Sequence, residues 1–226
     1  MISEAVYRHE YKYYLIACDC EILARRLGVV MERDPHTGAN GTYLIRSLYF
    51  DNYNDRALSE KINGDNPRSK FRIRIYNGRD DFICLEKKVK RDEMTQKLAA
   101  RITRDEYEKI VSGDIEWMLG DGRGVVAELY AQMKGYSLRP KTLVEYTRFP
   151  FIYEAGNVRV TLDTDIRTGI KSLDLFDPTP LVPTPGPDVL EVKYDRFLPD
   201  IIKYVINPVC RDRQSMSKYE RCRIYG

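Results

Sequence analysis

Lys70-Phe71-Arg72-Ile73-Arg74-Ile75-Tyr76 is the stretch on which the reading of this chain turns. A β-strand sends successive side chains to opposite faces. Phe71, Ile73 and Ile75 therefore share one face, and Lys70, Arg72, Arg74 and Tyr76 share the other. A single strand of this kind is also what a sheet with one face in water shows. Here the pattern recurs with both charge signs, as Arg8, Glu10, Lys12; as Glu86, Lys88, Lys90; as Arg159, Thr161, Asp163, Asp165; and as Glu191, Lys193, Asp195. If these strands close into a barrel, the charged faces line one interior. An interior rich in Lys and Arg with a few carboxylates suits a polyanion together with its metal ion.

The length of 226 residues fits one domain of all-β or α+β type, or two small ones. No linker, repeat or low-complexity tract divides it, so residues 1–226 are read as a single domain. The charged fraction is 31% but the net charge is only +3. That argues against bulk binding to nucleic acid, which needs a basic face or stripe, and any anion site must arise from local concentration of charge. Cys18, Cys20, Cys84, Cys210 and Cys222 contain no CxxC pair and have no His at zinc spacing. They read as free buried thiols in a reducing compartment. With no signal-peptide pattern and no run of 18 apolar residues, the expectation is a soluble, cytoplasmic protein, with a membrane-protein partner left open.

Residues 4–14 read as a strand. Asp19 is expected to cap a helix over Cys20–Met31 with Ile22, Leu23, Leu27 and Val30 as its apolar stripe. Strand Thr42–Phe50, a short helix Arg56–Ile62 ended by Gly64, and a hairpin of Ser69–Tyr76 with Asp81–Lys90 around Asn77-Gly78 follow. Thr103 and Glu106 form a capping box for a helix over 103–112, and a second helix covers about 122–135. Strands Thr142–Tyr153, Asn157–Asp165 and Val189–Tyr194 flank the loop Asp177–Asp188, which carries five prolines. Helices Pro199–Ile206 and Ser215–Tyr225 complete the chain.

Eight short motifs stand in one order: Arg8-His-Glu-Tyr-Lys-Tyr13, Arg46-Ser-Leu-Tyr-Phe-Asp51, Lys70 to Tyr76, Leu85-Glu-Lys-Lys88, Glu145-Tyr-Thr-Arg148, Arg159-Val-Thr-Leu-Asp-Thr164, Leu190-Glu-Val-Lys193 and Ser217-Lys-Tyr219. In this order the chain resembles the VTC domain, the polyphosphate polymerase domain of the vacuolar transporter chaperone family, within the triphosphate tunnel metalloenzymes. The resemblance implies an α+β fold: a closed antiparallel eight-stranded β-barrel, helices packed outside, and a C-terminal helix at one tunnel mouth. It implies a polymerase that moves the γ-phosphate of ATP onto a growing inorganic polyphosphate chain and releases ADP. Lys12, Arg72, Arg74, Lys88, Lys97, Arg148, Arg159, Ser217 and Lys218 match phosphate-gripping positions, and Lys193 shares the inward parity. Arg74, Arg148 and Lys218 are the expected catalytic contacts. Glu191 matches the carboxylate that holds Mn²⁺ or Mg²⁺, and Glu10 is either a second ligand or an ion-pair partner. Three residues before Lys218 the family polymerase has another Lys, where this chain has Ser215.

The residues themselves agree, because phosphoryl transfer needs mainly positioning and charge neutralisation. Arg offers planar bidentate contacts and Lys a point charge. Lys87 rivals Lys88 by position, but parity favours Lys88, which shares the face of Glu86. His9 has the outward parity, and Asp34, His36 and Asp51 make no convincing metal site. Two other functions stay open at this point: hydrolysis of inorganic triphosphate or nucleoside triphosphates in the same tunnel, and a non-catalytic polyphosphate-binding module.

Overall fold

The alternating strands close into a ring. The computed structural model describes residues 7–169, 172–207 and 215–225. Its strands are β1 (Arg8–Leu15), β2 (Glu32–Arg33), β3 (Tyr43–Asp51), β4 (Arg68–Tyr76), β5 (Arg79–Arg91), β6 (Met94–Ile102), β7 (Arg139–Tyr153), β8 (Val158–Gly169), β9 (Val182–Pro183) and β10 (Asp188–Tyr194). Eight of them form a closed antiparallel barrel in the order β7-β3-β4-β5-β6-β1-β10-β8, with β8 pairing back onto β7. The seam between β1 and β6 is narrow, only Arg8 opposite Thr95 and His9 opposite Met94. The two-residue strands β2 and β9 lean on β7 and β8.

The barrel is inverted relative to a small oily one, with its apolar faces outward under helices. Phe71, Ile73, Ile75 and Leu85 pack against α3 (Arg104–Ser112) and α4 (Gly124–Gly135), through Ile110, Val126 and Leu129. Leu162, Leu190 and Val192 pack against α1 (Ala17–Val30) and α5 (Asp200–Ile206), through Leu23, Leu27 and Ile202. Each fully buried Ile or Leu contributes about 1.5–3 kcal/mol, so these outer layers hold the wall while the lumen stays polar. Lys87 lies on this outer side, over the Phe71 ring and paired with Glu128.

α6 (Lys218–Tyr225) packs at one end of the barrel. Its Tyr219 and Cys222 are buried against Ile45, Val144, Ile166 and Val189. The Tyr219 hydroxyl donates to Asp51 Oδ2 at 2.5 Å. Asp51 also accepts from the amides of Ala57 and Leu58 in α2 (Arg56–Asn63), so it caps that helix while holding α6 to the barrel rim.

Several expectations need correction. Asp19 is not the N-cap: α1 starts at Ala17 after Ile16, and the Asp19 carboxylate accepts from the Ile16 amide at 3.3 Å. In the same helix Ile22 is exposed and Val30 only half-buried, because the packed stripe is narrower than the apolar pattern. Met94–Ile102 is a full strand, and Lys97 sits within it. The C-terminal helix begins at Lys218 rather than Ser215, and Cys18 is an exposed thiol. Asp165 does not point inward: a bulge between the pairs Glu145/Arg167 and Thr147/Thr164 puts it at φ +51° and turns its side chain to solvent, beside Arg167. An inserted residue breaks the two-residue period. Residues 4–6 and Cys210 lie outside the described residues.

Candidate active site

The ring gathers the charged faces around one cavity of about 610 Å³. β1 supplies Glu10 and Lys12, β4 supplies Arg72 and Arg74, and β5 and β6 supply Lys88 and Lys97. β7 and β8 add Arg148 and Arg159, β10 adds Glu191 and Lys193, and the start of α6 adds Ser217 and Lys218. The twelve residues expected to bind phosphate or metal therefore face one space. Lys70 lines it too, as do Tyr43, Tyr49 and Tyr146.

Cations that crowd a cavity need internal countercharge, and four carboxylates provide it. Glu86 accepts from Arg72 at 2.6 Å and from Lys97 at 3.0 Å, with Arg74 at 4.0 Å. Asp163 takes the Arg148 fork at 2.6 and 2.7 Å and the Lys218 ammonium at 2.6 Å. Glu191 pairs with Lys193 at 2.6 Å and Lys12 at 3.5 Å. Glu10 pairs with Lys88 at 2.6 Å and Lys12 at 3.1 Å. Burial alone would raise these carboxyls, but the facing cations outweigh it: Arg72, Arg74 and Lys97 hold Glu86 well below its ordinary range, and Lys193, Lys12, Lys218 and Arg148 do the same for Glu191. Asp163 is lowered by Arg148 and Lys218.

Neutral groups aim the guanidinium forks. Arg72 donates to the Tyr49 hydroxyl at 2.8 Å, and Arg74 donates to Ser47 Oγ at 3.2 Å and to the Tyr146 hydroxyl at 3.1 Å. Arg159 is held by Asp34 at 2.5 Å and Tyr43 at 2.7 Å. Lys218 lies 4.7 Å from the centre of the Tyr146 ring. Tyr146 shares the parity of Arg148 in the sequence, whereas Tyr49 has no such guide in its strand and Asp34 comes from a loop and carries no local signal. His9 stacks on Tyr194 at 4.9 Å between ring centres, on the outer side.

The donor set fits a hard divalent ion only in part from protein groups. Glu10 and Glu191 approach the same Lys12 ammonium, and Thr161, directly across from Glu191, buries a hydroxyl with no hydrogen-bond partner among the described residues. No group of three His, Cys, Asp or Glu suited to a metal occurs among the described residues. One or two carboxylates plus substrate phosphates and water are what Mg²⁺ usually takes.

A ring of paired cations around a barrel lumen has known counterparts. The VTC domain profile matches residues 7–224. The chain belongs to the VTC domain family. This VTC domain shares its fold with the Hippeastrum protein HpAC1, reported to have a dominant triphosphatase activity, at 14% identity and a TM-score of 0.58, with 96% of this chain and 95% of that one covered. It is similar to the PH1819 protein of Pyrococcus horikoshii at 13% identity and a TM-score of 0.53, covering 94% of this chain and 96% of the other. A Bacillus halodurans structure aligns at 12% identity and a TM-score of 0.54, covering 95% of this chain and 96% of the other. These likenesses carry the triphosphate tunnel fold. No curated protein matches the chain. No helix among the described residues is long and apolar enough to cross a membrane.

Proposed function

We propose that this VTC domain is a metal-dependent polyphosphate polymerase that transfers the γ-phosphate of ATP to the end of an inorganic polyphosphate chain, releasing ADP. The observation that carries the choice is the state of the tunnel carboxylates: Glu10, Glu86, Asp163 and Glu191 are all ion-paired, with their carboxyls held below the ordinary range. A water nucleophile needs a base to take its proton. A terminal phosphate oxygen is already an anion and needs only to be brought in line and shielded from repulsion. The tunnel supplies shielding in abundance and, among the described residues, each of these four carboxylates is already engaged by a cation.

In this reading Arg72, Arg74, Arg148 and Arg159 grip phosphate oxygens from different sides, with Lys12, Lys88, Lys97 and Lys193 adding point charges. Arg74 and Arg148 lie deepest, each under a tenth exposed, and are assigned to the reacting phosphates. Lys218, at the mouth of α6, trades its Asp163 partner for the developing charge. Glu191 and Glu10 would hold Mn²⁺ or Mg²⁺. Such an ion would neutralise charge on the phosphate oxygens. Family membership and the triphosphatase activity of one fold relative support a triphosphate substrate. Incubation with ATP and Mn²⁺ or Mg²⁺, with products resolved on a gel, tests the reading. Long chains with ADP are expected. Orthophosphate alone would replace it with a triphosphatase, and unchanged ATP with a binding module.

A further inference from the structure

Every other Lys or Arg lining the tunnel has a carboxylate within 4.0 Å, from Arg8 with Asp195 to Lys218 with Asp163. Lys70 has none among the described residues. Its Nζ donates to Ser217 Oγ at 2.9 Å and lies 5.7 Å from the Tyr219 ring centre and 6.0 Å from that of Tyr49. The charges that bear most on it are positive, Lys12 from β1, Lys88 from β5, Arg72 from its own strand and Lys61 from α2, while the carboxylates Glu10 and Glu191 line the same tunnel without reaching it. Lys61 is itself paired with Glu220, and Lys88 and Lys12 with Glu10. Lys70 also borders a recess of about 80 Å³ beside the tunnel, whose rim carries Arg68, Lys90 and Glu93.

We propose that Lys70 is a phosphate-binding residue of the tunnel whose countercharge comes from the substrate anion rather than from the protein. The inference rests on the reading that the tunnel takes polyphosphate. A buried ammonium without an anion is costly, and here burial, followed by Lys12, Lys88, Arg72 and Lys61, pushes Lys70 well below the ordinary lysine range. The empty tunnel therefore shifts Lys70 toward the neutral amine, hydrogen-bonded to Ser217. An entering polyphosphate reverses the local field. The amine takes one proton from solvent, becomes an ammonium and pairs with a phosphate oxygen. Binding of the anion and uptake of a proton are then one event.

Titration calorimetry with inorganic tripolyphosphate, without metal and in two buffers of different ionisation enthalpy, reads affinity and protons together. The parent is expected to bind with net proton uptake. Lys70→Met should lose roughly tenfold in affinity, the size of one charge-assisted contact, and lose the Lys70 share of the uptake. Lys70→Arg, protonated throughout, should keep the affinity within about threefold and lose the same uptake. Affinity unchanged in Lys70→Met, or uptake unchanged in Lys70→Arg, overturns the assignment while the tunnel reading stands. If the parent binds no tripolyphosphate, both fall. Should Lys70→Met fail to fold, the loss or retention of uptake in Lys70→Arg decides.

Discussion

Asp163→Asn tests the electrostatic design of the tunnel most directly. Asp163 has no exposed surface and is the shared anion of Arg148 and Lys218, at 2.6–2.7 Å. Asparagine keeps the shape and one acceptor oxygen but removes the charge, leaving two buried cations facing each other. Breaking a buried pair by removing one partner costs about 3–5 kcal/mol. For a chain of 226 residues, 1 kcal/mol shifts Tm by about 2–4 °C, so the variant should melt roughly 6–20 °C below the parent. The sign with pH is defined. The carboxyl is depressed in the folded protein, so its contribution is complete above the ordinary carboxylate range and is lost as pH falls through the folded value. The gap between parent and variant should therefore shrink in acid. Tripolyphosphate supplies the missing anion, so it should raise the Tm of Asp163→Asn more than that of the parent. Thermal unfolding by circular dichroism, with and without tripolyphosphate, measures all three. A variant melting with the parent, or an identical ligand-induced rise in both, would refute the reasoning.

Arg74→Ala should weaken tripolyphosphate binding about ten- to a hundredfold, as expected for a charge-assisted contact of about 1.5–3 kcal/mol; unchanged affinity in calorimetry removes Arg74 from the site. Glu191→Gln should cut metal-dependent turnover far more than metal-free anion binding, and equal turnover across a Mn²⁺ titration denies it the metal. Gly156 turns the β7–β8 hairpin at φ +77°, and a Cβ there would sit 2.4 Å from the Phe197 carbonyl oxygen. Gly156→Ala should accordingly cost more than about 2 kcal/mol in urea unfolding, and a change within about 0.5 kcal/mol would show that the Phe197 loop yields freely.

The wall of the barrel was legible because its lumen is polar: wherever a strand holds a strict two-residue period, as in Lys70–Tyr76, parity alone sorts lumen from core. Lys88 over Lys87 is such a case. The period fails at Asp165, where an extra residue enters the strand with no glycine to announce it. β6 escaped notice because Ala99 and Ala100 blur the contrast between its faces. The partners of the cations were less visible than the cations. That Asp34 reaches Arg159, or that Asp163 serves both Arg148 and Lys218, depends on contacts 125, 15 and 55 residues apart along the chain, which no local spacing encodes. For the same reason nothing in the sequence marks Lys70 as the cation that goes without.

The inverted barrel has a consequence for how the chain finds its fold. A hairpin that slips by one residue exchanges its two faces. In most barrels such a slip trades an oily side chain for a neutral polar one at the same site. Here it would drive Lys70, Arg72 and Arg74 under the helical layer beside Leu129 while emptying Ile73 and Ile75 into a wet channel. Both halves of that exchange are heavily penalised, so a strand such as β4 proofreads its own alignment with the groups it offers to phosphate. Variants that neutralise the lumen would then gain mispaired forms as they lose ligand, and homologues that abandon the chemistry would still be under pressure to keep the charges.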